Sequence, residues 1–92
     1  MIQSFKDADT RELNEKGSNK RWAAIRVVAR RKLDQIEASI TPSDLRVPPG
    51  NRLETRKGDC KGQHSIRIND QHRIWLIWKD ANAREVEIVD YH

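Results

Sequence analysis

The chain ends on Asp90, Tyr91 and His92, an acid, a phenol and an imidazole in succession. Two cations further back, Lys57 and Arg73, complete a set with a chemical reading. Cleaving RNA by attack of a 2′-hydroxyl on its own phosphate needs a base for the hydroxyl proton. It needs cations to hold the phosphate and offset its developing charge. It also needs an acid to protonate the leaving oxygen. Histidine titrates near neutrality and suits either proton role. Arginine offers phosphate a planar fork and lysine a point charge. Tyrosine can stack on a base or orient the phosphate. No metal and no cofactor are called for, and the chain holds no cluster with metal-ligand spacing.

Each of these residues also has a plain structural use. An arginine opposite an aspartate on paired strands is an ion pair worth about 0.2–1 kcal/mol. Tyr91 can pack on a sheet edge, and Lys57 beside Gly58 fits an ordinary loop. His64 and His72 read as structural strand residues, the three tryptophans as core or core margin, and Cys60 as an inert loop residue.

The elements that must position the set read as follows. Ile2 to Phe5 is a short strand. Asp9 caps a first helix, with Glu12 completing a capping box, and Gly17 ends it. Ser18 or Asn19 caps a second, longer helix. Its apolar stripe is Trp22, Ile25, Val28, Ala29, Leu33, Ile36 and Ile40, at spacings of three and four. Its other surface carries Lys20, Arg21, Arg26, Arg30, Arg31 and Lys32, which is ordinarily a solvated face and alternatively an anion-binding one. Pro42 closes the helix. Pro48-Pro49-Gly50-Asn51 is turn chemistry.

Strands fill the rest. Arg52 to Arg56 is weak, Gln63 to Ile68 has Ile66 and Ile68 on one face, and Asn69-Asp70 is a hairpin turn. His72 to Lys79 carries apolar residues on both faces, which marks a central strand. Asp80 to Ala83 is read as a four-residue loop, and Arg84 to Tyr91 returns. That register sets Arg73 opposite Asp90; a loop one residue longer sets it opposite Tyr91. The order of elements predicts one α+β domain over residues 1–92, two helices packed on a small, mainly antiparallel sheet.

The chain has 92 residues and a formal charge of +4, so an anionic partner is favoured, nucleic acid or an acidic protein. Hydrophobic residues make up only 36 % and charged residues 35 %. That balance approaches disorder, but the apolar residues are clustered and periodic, so a folded domain with a charged surface is expected. The single cysteine rules out an internal disulfide and fits a reducing compartment. No stretch reads as a signal peptide or membrane span. A cytoplasmic protein is expected.

The residues at this point resemble a known family. The opening MIQSF, the segment PPGNRLE, the run KGDCKGQHSIRINDQHRI and the terminal VEIVDYH are similar to the HigB family of bacterial toxins, within the RelE/ParE superfamily. The resemblance spans essentially the whole chain. It implies a compact RelE-like fold and a bacterial, cytoplasmic toxin of a type II toxin–antitoxin system. The activity implied is that of a ribosome-dependent mRNA endonuclease working in the ribosomal A site. A HigA-like helix-turn-helix antitoxin is the implied partner, with operator DNA bound only through the complex. Lys57, Arg73, Asp90, Tyr91 and His92 match the family's catalytic positions. Arg26, Arg30 and Arg31 would face ribosomal RNA, and Glu54 is grouped with them on the RNA-binding side. Glu54 is also the departure, because some members place a histidine there with a part in proton transfer. It is either a substitute base or structural. The alternative within the superfamily is a ParE-like protein that inhibits DNA gyrase by binding.

Overall fold

Asp7, two residues earlier than the expected Asp9, caps the first helix. Its carboxylate accepts the Thr10 amide at 3.0 Å. The chain is seen here as a computed structural model that describes residues 1–55 and 62–90. Helix α1 spans Ala8–Lys16. Asp9 and Glu12 instead accept hydrogen bonds from the Asn19 amide group, at 3.1 and 3.2 Å. Gly17 ends the helix as expected: at φ 79° its N–H bonds to the Leu13 carbonyl, a left-handed conformation that costs glycine little.

Asn19 starts the next segment, though not as a direct helix cap. Its Oδ1 accepts from the amides of Arg21 and Trp22, and a short 3-10 turn over Ala23–Ile25 leads into α2, Arg26–Ala38. The apolar stripe holds through Ile36. Ala29, Leu33 and Ile36 are fully buried, and Ile25 and Val28 pack at the margin. Ile40 departs from it, since the helix has already ended at Ala38 and the side chain is 75 % exposed. Lys32 departs the other way. It turns from the expected charged face into the protein, where its ammonium meets Asn51 Oδ1. Two 3-10 turns, Pro42–Arg46 and Pro49–Asn51, occupy the proline-rich connection.

Four strands follow as an antiparallel meander in sequence order. They are β1 (Glu54–Thr55), β2 (Gln63–Arg67), β3 (His72–Lys79) and β4 (Asn82–Asp90). The expected N-terminal strand is present as two parallel bridges that extend the sheet, Ile2 to Ala83 and Phe5 to Val86. Alternation along the strands turns Ile66, Ile74, Leu76, Val86 and Ile88 toward Leu13, Leu33 and Ile36 of the helices, forming the core. Thr10 of α1 closes the layer by accepting the Ile88 amide at 3.1 Å. Among the described residues no helix is long and apolar enough to cross a membrane.

The β3–β4 register corrects the expected one. The turn is only Asp80-Ala81, both at positive φ (54° and 63°), with Lys79 facing Asn82. This is the tight geometry that matches strand twist. A bulge lies farther along, at the shift between Trp75 and Ile77, with Glu85 at φ 53°. Arg73 therefore faces Val89, and it is His72 that faces Asp90.

Candidate functional site

Arg73 sits on the sheet face turned away from the helices. Ser65 and Trp75 share that face by strand alternation, as do Glu54 and Glu87, which are paired in register with them. The Arg73 side chain is only 9 % exposed. Its Nε donates to the Ser65 hydroxyl at 3.0 Å, and Nη2 donates to the Arg52 carbonyl at 2.7 Å. Arg52 turns that carbonyl inward from a left-handed backbone conformation, φ 45° and ψ 58°. Glu54 lies 3.7 Å from Nη2 and is 59 % exposed.

This is an unusual setting for a buried charge. A buried guanidinium is ordinarily matched by a carboxylate in a two-pronged pair, because desolvating it alone is costly. Among the described residues the two close acceptors are neutral oxygens. The carboxylate stands beyond hydrogen-bond range and is largely in water. Arg67 adds a second cation, facing Arg73 directly across β2 and β3. Like charges in facing positions repel, and the exposed Asp70 pairs with Arg67 from the hairpin loop. Arg67 is thus paired, and with Glu54 and Glu87 on the same face it is Arg73 itself, hydrogen-bonded to neutral oxygens, that suits an incoming anion.

Asp90 is not beside Arg73. In β4 it shares the face of Ile88 and lies opposite His72, and its carboxylate accepts from Gln71 Nε2 at 3.2 Å. His72 is tied to Asn69 Oδ1 and packs edge-on against Trp22, with ring centroids 5.7 Å apart. The expected meeting of Arg73 with Asp90 is thus replaced by a diagonal relation across the sheet. Lys57, Tyr91 and His92 lie outside the described residues.

His64 borders the core on the opposite face from Arg73. Its Nδ1 is 2.9 Å from the Thr55 hydroxyl, and burial lowers its pKa below the ordinary 6.5. Arg26, Arg30 and Arg31 are exposed on α2, as expected. They line a shallow cleft of about 330 Å³ with Val27 and Asp34. Arg26 also borders a neighbouring cleft of about 380 Å³ that includes Ser18 and Lys20. The helix buries its other side against the sheet, so this basic surface and Arg73 lie on opposite sides of the sheet layer. Among the described residues, no group of three or more His, Cys, Asp or Glu is placed to hold a metal ion.

Sequence reasoning did not find Ser65, Arg67 or the Arg52 carbonyl. The signal for Ser65 was a small polar residue between His64 and Ile66 in an otherwise buried strand. The Arg52 carbonyl has no sequence signal, because its role depends on backbone conformation alone.

Comparison with known proteins bears on the same architecture. The family described as "RelE-like toxin of type II toxin-antitoxin system HigB" matches residues 3–92. Toxin HigB-1 of Vibrio cholerae serotype O1 is 39 % identical over 85 residues, covering 90 % of each chain. An uncharacterised protein of Haemophilus influenzae is 46 % identical over 55 residues, covering 60 % of this chain and 52 % of its own. Among solved structures, the YoeB-YefM complex from Staphylococcus aureus contains a chain that superposes with a TM-score of 0.58 at 20 % identity. The match covers all of this chain and 95 % of that one, and it is a likeness of fold.

Proposed function

The chain belongs to the RelE-like HigB toxins of type II toxin–antitoxin systems, and from that premise we propose that it is a ribosome-dependent endoribonuclease that cuts mRNA during translation. The observation that carries the reading is Arg73, a buried cation whose hydrogen-bond acceptors among the described residues are neutral oxygens, with the exposed Glu54 carboxylate at 3.7 Å. A phosphodiester fits that deficit. Arg73 and Lys57 hold the scissile phosphate, and Tyr91 positions the RNA. His92 carries proton transfer, and Asp90, which in β4 faces the other side of the sheet from Arg73, assists from the strand end. The 2′-oxygen bonds to phosphorus as its proton passes to the base. The bond from phosphorus to the 5′-oxygen breaks as the acid protonates that oxygen. The products are a 2′,3′-cyclic phosphate and a 5′-hydroxyl.

The basic surface of α2 is assigned a different partner. Arg26, Arg30 and Arg31 lie on the far side of the sheet from Arg73, so they suit ribosomal RNA at the A site while the mRNA lies on the Arg73 face. Contacts to phosphate of this kind weaken steeply with salt. A HigA-like antitoxin is the proposed neutralising partner, and operator DNA is bound through that complex.

The test is primer extension on a reporter mRNA in a purified translation system, with and without ribosomes, using a chain that ends at His92. New 5′ ends that require translating ribosomes are expected. Intact mRNA in both arms, beside an active control toxin, would overturn the reading and favour gyrase binding. Within the active system His92→Ala should lower cleavage by ~10²–10⁴.

A further inference from the structure

We propose that Ser65 is a positioning residue that acts through Arg73 by holding the guanidinium in the orientation that meets phosphate. The proposal rests on the ribonuclease reading above. Ser65 is fully buried in the middle of β2, and its hydroxyl accepts the Arg73 Nε–H at 3.0 Å.

The geometry of the guanidinium makes this bond decisive. Nε lies at the base of the planar fork, so an acceptor there fixes the plane as well as the distance. The Arg52 carbonyl, 2.7 Å from Nη2, fixes one prong. Two neutral acceptors thus set the orientation without neutralising the charge. Either alone would leave a rotation free. An acidic residue at position 65 would fix the plane equally well, but it would cancel the potential that attracts the phosphate. Serine supplies an acceptor, little bulk and no charge. It also stands between Glu54 and Trp75 in a cross-strand row, so neighbouring strands on both sides hold it in place.

A displaced arginine costs rate because phosphoryl chemistry depends on alignment, and a shift near 1 Å can cost about 10²-fold. The experiment compares cleavage in the translation system for wild type, Ser65→Ala, Arg73→Lys and the double variant. Thermal unfolding of each variant runs alongside, and the Arg73 Nε–H is followed by nitrogen-resolved NMR. Ser65→Ala is expected to lower kcat by ~10–10² with little change in KM. Arg73→Lys removes the Nε–H, so in that background Ser65→Ala should cost nothing more. Ser65→Thr, which keeps the hydroxyl, should restore cleavage.

Cleavage by Ser65→Ala within about twofold of wild type, or equal losses in both arginine backgrounds, would overturn the proposal. If even the wild type leaves translated mRNA intact, the ribonuclease reading itself has failed, and the NMR signal then decides the role of Ser65. Loss of Nε–H protection in Ser65→Ala, with the rest of the spectrum unchanged, supports positioning. Retained protection overturns it.

Discussion

Arg73 Nη2 is 2.7 Å from the Arg52 carbonyl and 3.7 Å from the Glu54 carboxylate, so its nearer partner is a neutral backbone oxygen. The relation assigns Glu54 a limited role. A carboxylate that exposed is screened by water, and such pairs are worth well under 1 kcal/mol. Its field nevertheless opposes the approach of a phosphate to Arg73.

Glu54→Gln is therefore expected to leave unfolding free energy within about 0.5 kcal/mol of wild type by urea denaturation. With proton transfer assigned chiefly to His92, its cleavage rate should stay near that of wild type. A fall of ~10²–10⁴ would instead make Glu54 the general base.

The β3–β4 turn offers a second test. Asp80 and Ala81 both adopt positive φ, which costs a residue with a Cβ roughly 1 kcal/mol. Ala81→Gly should stabilise the protein by about 0.5–1 kcal/mol, read as a higher urea midpoint with an unchanged slope. Destabilisation would argue against the two-residue turn, and with it against the placement of Arg73 opposite Val89.

That turn also shows what the sequence concealed. Strand existence followed from alternation, and the core from Ile66, Ile74, Leu76 and the stripe of α2. The register did not follow. Asp80-Ala81 lacks the glycine that usually announces such a turn, and nothing in the sequence marks a bulge at Glu85. The turn is two residues shorter than expected and the bulge gives one back, a net offset of one residue that moves Arg73 away from Asp90. The helix caps were misjudged for a related reason, because Asp7, Asp9 and Asn19 can all cap and packing chooses among them. Arg73 was legible as a site residue by type and by resemblance. Ser65 and the Arg52 carbonyl depend on tertiary geometry, which periodicity does not encode.

His64 makes stability depend on pH in a defined direction. Burial lowers its folded pKa below 6.5. Between the folded value and the unfolded one, the unfolded chain binds the extra proton and the folded chain does not. Stability is therefore fully present above about pH 6.5 and declines as pH falls toward the folded pKa. Unfolding free energies measured from pH 7.5 down to 5 should fall on this account, and His64→Gln should flatten that part of the slope. An unchanged slope in the variant would mean that His64 is not the responsible group.

Lys32 and Asn51 permit a sharper measurement, because each is buried and each depends on the other. Asn51 is fully buried and donates to Gln35 Oε1, the Leu45 carbonyl and the Val47 carbonyl, while its Oδ1 receives Lys32. Burial, and then the neighbouring Arg31, lower the Lys32 pKa. Its charge is thus a cost to the fold at neutral pH, and Asn51 Oδ1 offsets part of it. That cost is relieved as pH rises toward the unfolded value near 10.5. Asn51→Ala removes the acceptor and leaves the ammonium buried alone, a loss of about 2–4 kcal/mol when the severed backbone acceptors are included. In a Lys32→Met background the same substitution should cost less by about 1.5–3 kcal/mol, the worth of a hydrogen bond to a charged group. Equal costs in the two backgrounds would mean that Asn51 stabilises the 42–51 connection without help from Lys32. A difference in the expected range would place the anchor of that connection, and so of Arg52 beside it, on one charge-assisted hydrogen bond from α2.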